Sequence, residues 1–466
     1  MDGDCDDADA ATSPAETEVC SDGIDNDCSG DAPECELSGT VYDSDAAATL
    51  SGASSGGRAG DTLSAGDFDG DGLQDLFVGA PDDNSETGSA YIVYGPLSSA
   101  SLATADVTWS GASMGDRAGS SAVAVHNWSI YNAGIVLGIE GSSGLGNAMM
   151  LAAPLTSGTA TGGWNMTGDA FGSDVGSSVV AYDASLDGLD QSFVVGAPSA
   201  DTEAEDAGAV YMLPLTAWYS TGGGIITKLA DATWLGESEG DEAGAAMASN
   251  GDVDGDGIND LLIGAPAAAG GASSAGSAYL VSGPTSGVHS LADADAIWSG
   301  STDDSAAGSS LRLADATGSG VADAIVSAPA GASSGLSGTV YVLSTTSTGT
   351  IGSLAAATIV GDTDDLMGFA VSAIDVDVDG VADLFIGSPG DANAGADAGA
   401  AYLFLGPLTG TLGAGEADLQ VLGSPGEELG ATVLLADLLG TGSNQLVVAA
   451  PASTAGDVHI FDYLGQ

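Results

Sequence analysis

Short apolar runs separated by glycine-rich turns recur along the chain in a constant order. Each unit opens with a glycine before a β-rich run, and these glycines recur 57 to 68 residues apart. They are Gly60, Gly119, Gly176, Gly244, Gly308, Gly368 and Gly430. Because no long stretch shows the period of an amphipathic helix, we expect an all-β protein built from repeats.

Each unit is predicted to contain four short strands. In the first unit an apolar strand leads into an acidic loop, and a second strand ends at Gly-Ala-Pro, residues 79–81. A third strand is predicted at residues 88–94 and a fourth at residues 106–111. Four strands in roughly 60 residues are typical of a propeller blade. The pattern therefore predicts a seven-bladed β-propeller of four-stranded blades.

The second unit is less regular than the others. Its residues 146–155 align with the third strand of the first unit, which places the second strand at residues 134–140. In this alignment four tryptophans occupy equivalent positions, and we expect them to pack in the core: Trp109, Trp164, Trp234 and Trp298.

The two ends of the repeat region complement each other. The last unit stops after its third strand at residues 457–463, and residues 46–52 have the pattern of the missing fourth strand. We therefore expect an N-terminal strand to close the ring. Just before it, residues 37–42 repeat the third-strand sequence of residues 336–341. This strand is surplus, and we interpret it as an edge strand, a linker, or a strand that pairs with another subunit.

Three units carry an acidic loop with oxygen donors at alternate positions. Aspartates occupy positions one, three, five and nine, and position seven offers a backbone carbonyl. The residues are Asp67, Asp69, Asp71, Leu73 and Asp75; Asp252, Asp254, Asp256, Ile258 and Asp260; and Asp375, Asp377, Asp379, Val381 and Asp383. Oxygen-only ligands at this spacing predict Ca²⁺. An EF-hand is excluded, because position twelve is Val78, Ile263 or Ile386 in a predicted strand, where an EF-hand needs a glutamate.

The corresponding loops of the other four units have lost aspartates. The third unit is a further candidate metal site through Asp183 and Asp187. The fifth unit keeps Asp315 and Asp323, and the seventh keeps Asp437. We expect no tight site in the seventh unit and no site in the second.

The charge of the chain excludes several classes of partner. Its 466 residues include 66 acidic and 4 basic ones, for a formal net charge of −62. Nucleic acids and anionic membrane surfaces are excluded as partners, because both need Lys and Arg. No apolar run approaches the ~18 residues of a membrane span, so we expect no membrane insertion. Met1 leads directly into an acidic motif, and we expect a piece of a longer secreted protein.

Residues 1–36 form a separate acidic extension that holds all four cysteines. With almost no apolar side chains, this extension must be held by disulfides, by metal or by docking on another part. Acidic surroundings without histidine argue against zinc, and two disulfides in an extracellular setting fit better. Three pairings are open, and we favour Cys5–Cys20 with Cys28–Cys35.

The extension also resembles a known repeat. Its acidic start at residues 4–9, the stretch 14–20 and the Asp-Asn-Asp-Cys at 25–28 resemble the repeat assigned to metal binding in secreted bacterial surface proteins. This resemblance implies a further metal site in residues 1–36. An acidic, disulfide-tied linker is the alternative.

Residues 37–466 resemble FG-GAP repeats, which form the seven-bladed propeller of integrin α-subunits. The Gly-Ala-Pro ends, the Asp-x-Asp-x-Asp-Gly-x-x-Asp loops and the Gly-x-x-Tyr third strands carry the resemblance. It implies that the calcium loops lie on one face, between the first and second strands, and that partners engage the propeller surface. No inserted metal-dependent adhesion domain is present, so no integrin ligand site is implied.

Two non-enzymatic functions remain. We expect no enzyme, because the Gly-x-Ser-x-Gly matches at 52–56 and 331–335 lie in Gly/Ser-rich turns and no histidine lies in an acid–base motif. The first function is a secreted or cell-surface adhesion module that binds a protein or glycan ligand through an aromatic-rimmed pocket away from the calcium loops. The second is a subunit of a calcium-dependent extracellular filament that self-associates through the N-terminal segment.

Overall fold

The strands of this chain form seven sheets arranged as the blades of a propeller. The structure is a computed structural model. It describes residues 39–126, 133–139, 141, 145–152, 155–159, 164–168, 173–183, 192–202, 204–216, 222–283, 286–329 and 337–463. The blades are numbered 1 to 7 in the order of their second strands. The all-β, seven-bladed prediction is confirmed.

Each blade contains the four antiparallel strands that the sequence predicts. The first strands are β3 (Thr62–Gly66), β8 (Ser121–His126), β13 (Val179–Tyr182), β18 (Ala246–Gly251), β23 (Leu311–Ala314), β28 (Ala370–Ile374) and β33 (Thr432–Ala436). The second strands are β4 (Asp75–Ala80), β9 (Ala133–Ile139), β14 (Ser192–Ala197), β19 (Asp260–Ala265), β24 (Asp323–Ala328), β29 (Asp383–Ser388) and β34 (Gln445–Ala450). Neighbouring first strands contact one another around the centre of the ring.

The outer half of each blade follows the same order. The third strands are β5 (Ser89–Val93), β10 (Asn147–Ala152), β15 (Ala209–Pro214), β20 (Ser277–Val281), β25 (Ser337–Leu343), β30 (Ala400–Phe404) and β35 (Asp457–Phe461). The fourth strands are β7 (Val107–Ser110), β12 (Trp164–Thr167), β17 (Ala232–Leu235), β22 (Ala296–Ser299), β27 (Ala357–Thr363), β32 (Leu419–Leu422) and β2 (Ala48–Ser51). The predicted alignment of the second unit is confirmed, since β9 and β10 lie where it placed them.

A fifth strand, which the sequence did not predict, extends every blade. It pairs in parallel with the fourth strand of its blade and comes from the connection before the fourth strand of the next one. From blade 1 to blade 7 these strands are β11 (Gly158–Thr159), β16 (Gly223–Ile225), β21 (Gly287–Ser290), β26 (Gly349–Thr350), β31 (Gly410–Gly413), β1 (Gly39–Tyr42) and β6 (Ala100–Ser101).

The N-terminal strands close the ring. Strand β2 pairs antiparallel with β35, with Thr49 opposite His459, as the complementary ends predicted. Strand β1 is no copy of a third strand: it is the fifth strand of blade 6 and pairs with β32. Of the three interpretations of this strand, the edge strand is confirmed. Its hydrogen-bonding partner lies within the same ring, so this strand does not need a second subunit.

Glycines allow the blades to approach closely at the Gly-Ala-Pro ends. A Cβ atom added to Gly79 would lie 2.1 Å from the carbonyl oxygen of Gly119, which opens the next blade. The same approach recurs between Gly264 and Gly308. No side chain fits at these two contacts, whereas Ser327 and Ala449 replace the first glycine opposite Gly368 and Gly60.

The core lies between the blades. Trp109 packs with Leu137 and Met149 of blade 2, and Trp298 packs with Leu311 and Val326 of blade 5. Trp109, Trp234 and Trp298 are buried, as predicted, and Trp164 is half-buried against the core. Helical segments are short; they include α1 (Asp83–Glu86) and α2 (Ile351–Leu354) and the 3₁₀ turns Asp43–Asp45, Leu102–Thr104, Ile226–Lys228, Leu291–Asp293 and Ala414–Glu416. No helix in the described part of the chain has the length and apolar character needed to cross a bilayer.

Candidate metal centres

The acidic loops join the first strand of a blade to its second strand, so all of them lie on one face of the ring. They are named here by blade: loop 1 (67–75), loop 4 (252–260), loop 5 (315–323), loop 6 (375–383) and loop 7 (437–445). Strand β1 runs parallel to β32, which starts at this face, so the chain also enters the ring there. The structure describes the chain from residue 39 onward, so the extension of residues 1–36, its cysteines and its predicted metal site lie outside the described residues.

The aspartate at position one folds each loop on itself. In loop 1 the Asp67 carboxylate accepts the backbone N–H groups of Gly70 at 2.7 Å and Gly72 at 3.0 Å. Asp252 does the same with Gly255 and Gly257, at 2.6 and 2.8 Å. The loop is therefore shaped by its own backbone donors, and the carboxylate is held towards the loop centre.

Three carboxylates converge in each of loops 1, 4 and 6. One oxygen from each lies within 4.8 Å of the others in the groups Asp67, Asp69 and Asp71; Asp252, Asp254 and Asp260; and Asp375, Asp377 and Asp383. Carboxylates this close repel one another unless a cation or a proton lies between them. Oxygen donors alone suit a hard divalent cation.

The aspartate at position nine is wholly buried in all three loops. Asp75 accepts the N–H groups of Phe68 at 2.6 Å and Gly95 at 2.8 Å. Burial, opposed by these bonds and reinforced by the neighbouring carboxylates, raises the pKa of Asp75 to about 6. The pKa values of Asp260 and Asp383 are raised to about 6 for the same reasons.

The loops differ in which aspartates converge. Asp75 lies outside the cluster of loop 1, whereas Asp260 and Asp383 belong to theirs. At position five, Asp256 and Asp379 lie outside the clusters and accept the N–H groups of Ile258 and Val381, at 2.8 and 2.7 Å. Each loop thus brings together three of the four predicted aspartates. Ligation by the carbonyls of Leu73, Ile258 and Val381 stays a prediction.

Position eight, which the sequence reasoning missed, connects the loops of neighbouring blades. Asn259 donates to the carbonyl of Asp183 at 2.6 Å, and Ala322 donates its backbone N–H to the carbonyl of Asp252 at 2.9 Å. Gln74 accepts the N–H of Asp437 at 3.1 Å. Each of these partners is a position-one residue. The candidate metal centres therefore lie at blade junctions. The polar side chains of Gln74 and Asn259 were the available sequence signal, whereas Ala322 acts through its backbone and gave none.

Loops 5 and 7 have the same kind of backbone hydrogen bonds as loops 1, 4 and 6, but three carboxylates do not converge in them. In loop 5, Asp315 accepts the N–H groups of Ser319 and Gly320. Asp323 accepts the backbone N–H of Thr317 and the hydroxyl O–H of Ser344. The candidate site of the third unit is described only at Asp183, which is buried. Its Asp187 lies outside the described residues, as does most of the second unit's loop.

A cavity of about 440 Å³ opens on the opposite face. Its lining includes Arg58, Arg117 and Glu428, which lie just before the first strands, and Phe369, which is 49% exposed. Arg58 forms an ion pair with Asp61 at 3.0 Å. The face away from the metal loops therefore carries a pocket, but Phe369 is the one aromatic residue among the described residues of its lining, whereas the adhesion hypothesis expects an aromatic rim.

Comparisons with known proteins match both the repeat region and the N-terminal extension of the chain. The FG-GAP repeat family matches residues 59–93 and 248–281, which contain loops 1 and 4. Residues 4–34 match the family described as "Putative metal-binding motif". Integrin alpha-5 of Xenopus laevis is 34% identical over 132 residues, which are 27% of this chain and 12% of that integrin. The matched part therefore spans a small fraction of the length of that relative.

Proposed function

Because the chain is a seven-bladed propeller that carries FG-GAP repeats and an N-terminal metal-binding motif, we propose that it is a secreted, calcium-binding module for extracellular adhesion or assembly. Calcium in loops 1, 4 and 6 rigidifies the ring, and the opposite face meets the partner. The family resemblance supports the extracellular setting, and the geometry of the loops supports the role of the ion.

The convergence of three carboxylates at blade junctions carries this proposal. In loop 4, Asp252 supplies a carboxylate to the cluster and its carbonyl to blade 5 through Ala322. An ion that fixes Asp252 therefore also fixes the contact between the two blades. Calcium suits these loops better than a transition metal, because no histidine or cysteine lies in them.

Substitution of Asp254 by Asn tests the metal role. Asp254 is exposed, and its Oδ1 accepts the N–H of Asp256 at 3.0 Å, a bond that an amide oxygen preserves. We expect Asp254→Asn to bind one calcium fewer than the wild type in isothermal titration calorimetry. Asp437→Asn in loop 7 is the matched control and keeps the wild-type stoichiometry. Equal stoichiometry of the wild type and Asp254→Asn would refute calcium binding in loop 4.

The adhesive partner is proposed to bind at the 440 Å³ cavity. A screen against extracellular protein and glycan arrays with about 2 mM calcium, the order of extracellular levels, identifies the ligand. We expect Phe369→Ala to weaken binding by about tenfold, a value typical of an interface aromatic. Val288→Ala, on the outer strand β21 and 70% exposed, is the control. A ligand that binds both variants like the wild type would place the interface elsewhere.

We further propose that the protein is not an enzyme. Its buried His459 contacts Thr49 at 3.3 Å, and His289 stacks on Trp234, so these two side chains have structural partners. Hydrolytic activity that is lost on substitution of either histidine would contradict this proposal.

A calcium-dependent filament is the second candidate. It is favoured by the position of residue 39, where the acidic extension joins the ring at the metal-loop face. Electron microscopy of the full chain with calcium and after chelation separates the two. Stacked rings that fall apart on chelation support the filament, and isolated rings under both conditions support the adhesion module.

A further inference from the structure

The seven first strands are free of acidic residues, although the chain has 66 of them. Acidic residues occur directly outside these strands, for example Asp61 before β3 and Asp67 after it. Because the first strands surround the centre of the ring, the central channel is lined by neutral side chains along this stretch. The negative charge of the protein lies around the channel and at its two ends.

Arg312 on β23 is the exception within these strands, which hold no other Lys, Arg, Asp or Glu. The chain contains three further basic residues, Arg58, Arg117 and Lys228. All three lie in turns or near the surface, whereas Arg312 lies within a first strand. Arg312 is at the same level as Ser64 of β3 and Ser372 of β28, since each follows its unit's opening glycine by four residues. The equivalent partners in the second strands are Ile325, Phe77 and Phe385.

The Arg312 guanidinium has more donors than the described part of the protein accepts. It donates to the carbonyl of Leu311 at 2.7 Å. Within the described residues, no carboxylate lies within 4.0 Å of it, whereas Arg58 and Arg117 both have acidic neighbours. A guanidinium carries five N–H donors and stays protonated in proteins, and one acceptor within the described residues contacts it.

Arg312 is surrounded by protein but keeps partial access to solvent. Burial lowers its pKa to about 10, yet the side chain keeps a fraction of its accessible surface. Both observations fit a group that is surrounded by protein and faces an internal channel. An unpaired charge in such a place is strongly unfavourable unless a counter-ion accompanies it.

We propose that Arg312 forms an anion site in the central channel, occupied by a small inorganic anion such as chloride. The site combines one guanidinium with neutral strands, in a protein that otherwise repels anions. A single guanidinium balances one negative charge, which suits a monovalent anion. This inference does not depend on the proposed adhesive function.

Crystals of the full chain grown or soaked in sodium bromide test the site directly. We expect an anomalous bromide peak within hydrogen-bonding distance of the Arg312 guanidinium. The absence of a peak there would overturn the proposal. It would be overturned equally by a carboxylate of the chain itself, from a residue outside the described ranges, at this position. This experiment uses the wild type, so it does not depend on the folding of a variant.

Chloride binding in solution provides the second measurement. The ³⁵Cl NMR line of chloride broadens when the ion exchanges with a protein site. We expect Arg312→Gln to lose most of the excess broadening, at least fivefold, and Arg312→Lys to retain part of it. Lys228→Gln removes an equal charge from the exposed surface and should behave like the wild type. Equal broadening by Arg312→Gln and the wild type would contradict the site.

Discussion

Loops 6 and 7 are neighbours on the same face and have nearly the same backbone bonds, but they differ in what fills their centre. At position one, Asp375 accepts the N–H groups of Asp379 and Gly380 at 3.1 and 2.9 Å. Asp437 accepts those of Thr441 and Gly442 at 3.1 and 2.9 Å. The shape of the loop is therefore independent of the acidic residues that follow position one.

Position nine shows how the two loops diverge. In loop 6, Asp383 accepts the N–H groups of Val376 and Gly406 and adds a third carboxylate to the cluster. In loop 7, Gln445 accepts the N–H of Leu438 at 2.7 Å, and its amide donates to the Thr441 hydroxyl at 2.9 Å and the Ser443 carbonyl at 2.7 Å. The amide nitrogen thus supplies the inward donors that a cation would replace. The comparison teaches that one loop fold can be held by an ion or by a neutral hydrogen-bond network.

Removal of calcium should have the largest effect on this comparison. At ~1 mM free calcium and a Kd of ~0.1 mM, each site adds ~1.4 kcal/mol to the free energy of unfolding, so loops 1, 4 and 6 together add ~4 kcal/mol. We expect chelation to lower the unfolding temperature by several degrees, measured by calorimetry. Magnesium at equal ionic strength is the control for screening. An unfolding temperature that is insensitive to chelation would break the distinction between the two loop types.

Gln445→Asp should be the most damaging single change in loop 7. The substitution removes the amide donors to Thr441 and Ser443 and buries a carboxylate, so we expect a loss of ~2 kcal/mol, as for other broken buried networks. Calcium should not restore this stability, because only Asp437 is near. Denaturant unfolding with and without calcium measures both effects.

A triple substitution tests whether the aspartate pattern alone turns loop 7 into a metal site. Leu439→Asp, Thr441→Asp and Gln445→Asp together install the aspartate pattern of loop 6, and we expect one additional bound calcium in titration calorimetry. If the triple variant binds no more calcium than the wild type, the aspartate spacing is not sufficient for a site.

The effect of pH on stability and on calcium affinity should be intermediate among the predicted effects. An acid whose pKa is raised from 3.8 to about 6, as for Asp75, Asp260 and Asp383, binds more protons in the folded state than in the unfolded state. Without cation, these groups therefore make the protein less stable as the pH rises from 4 to 6. Calcium competes with the same protons, so its affinity should fall about tenfold between pH 7 and pH 5. Calorimetric titration at the two pH values measures this change; equal affinities would contradict protonation at position nine.

Val378→Gly should give the smallest effect. Val378 occupies position four of loop 6 with φ of 64°, where loops 1, 4, 5 and 7 have Gly70, Gly255, Gly318 and Gly440. A β-branched residue in the left-handed region is strained, and its 77% exposure gives no compensating burial. We expect glycine to stabilise loop 6 by ~1 kcal/mol, the lower end of the cost of such strain. The gain should appear in denaturant unfolding; a loss of stability would indicate that Val378 makes contacts that hold the loop.

The blades could be predicted from the sequence because their signals are local. The opening glycines, such as Gly119, recur in every unit, and Gly-Ala-Pro or a close variant of it ends the second strand in most units. The missing fourth strand of the last unit could be predicted at residues 46–52, because these residues have the local sequence pattern of a fourth strand. The metal loops were visible because alternate aspartates ended at a buried strand.

The fifth strands and the fine geometry of the loops could not be predicted. Strands such as β6 and β26 contain two residues each and pair with a strand about 50 residues away, so they have neither periodicity nor a local partner. The sequence of residues 37–42 therefore indicates a third strand, whereas the structure pairs β1 with β32 as a fifth strand. Likewise, the sequence gives Asp75 and Asp260 the same position nine, and only the backbone of each loop decides which of them joins the cluster.

Long-wavelength anomalous diffraction from crystals grown with calcium tests the central claim most directly, because it locates each ion. We predict calcium peaks beside Asp69, Asp254 and Asp377, and no peak in loops 5 and 7. Peaks beside Asp315 or Asp437, or no peak in loops 1, 4 and 6, would contradict the account.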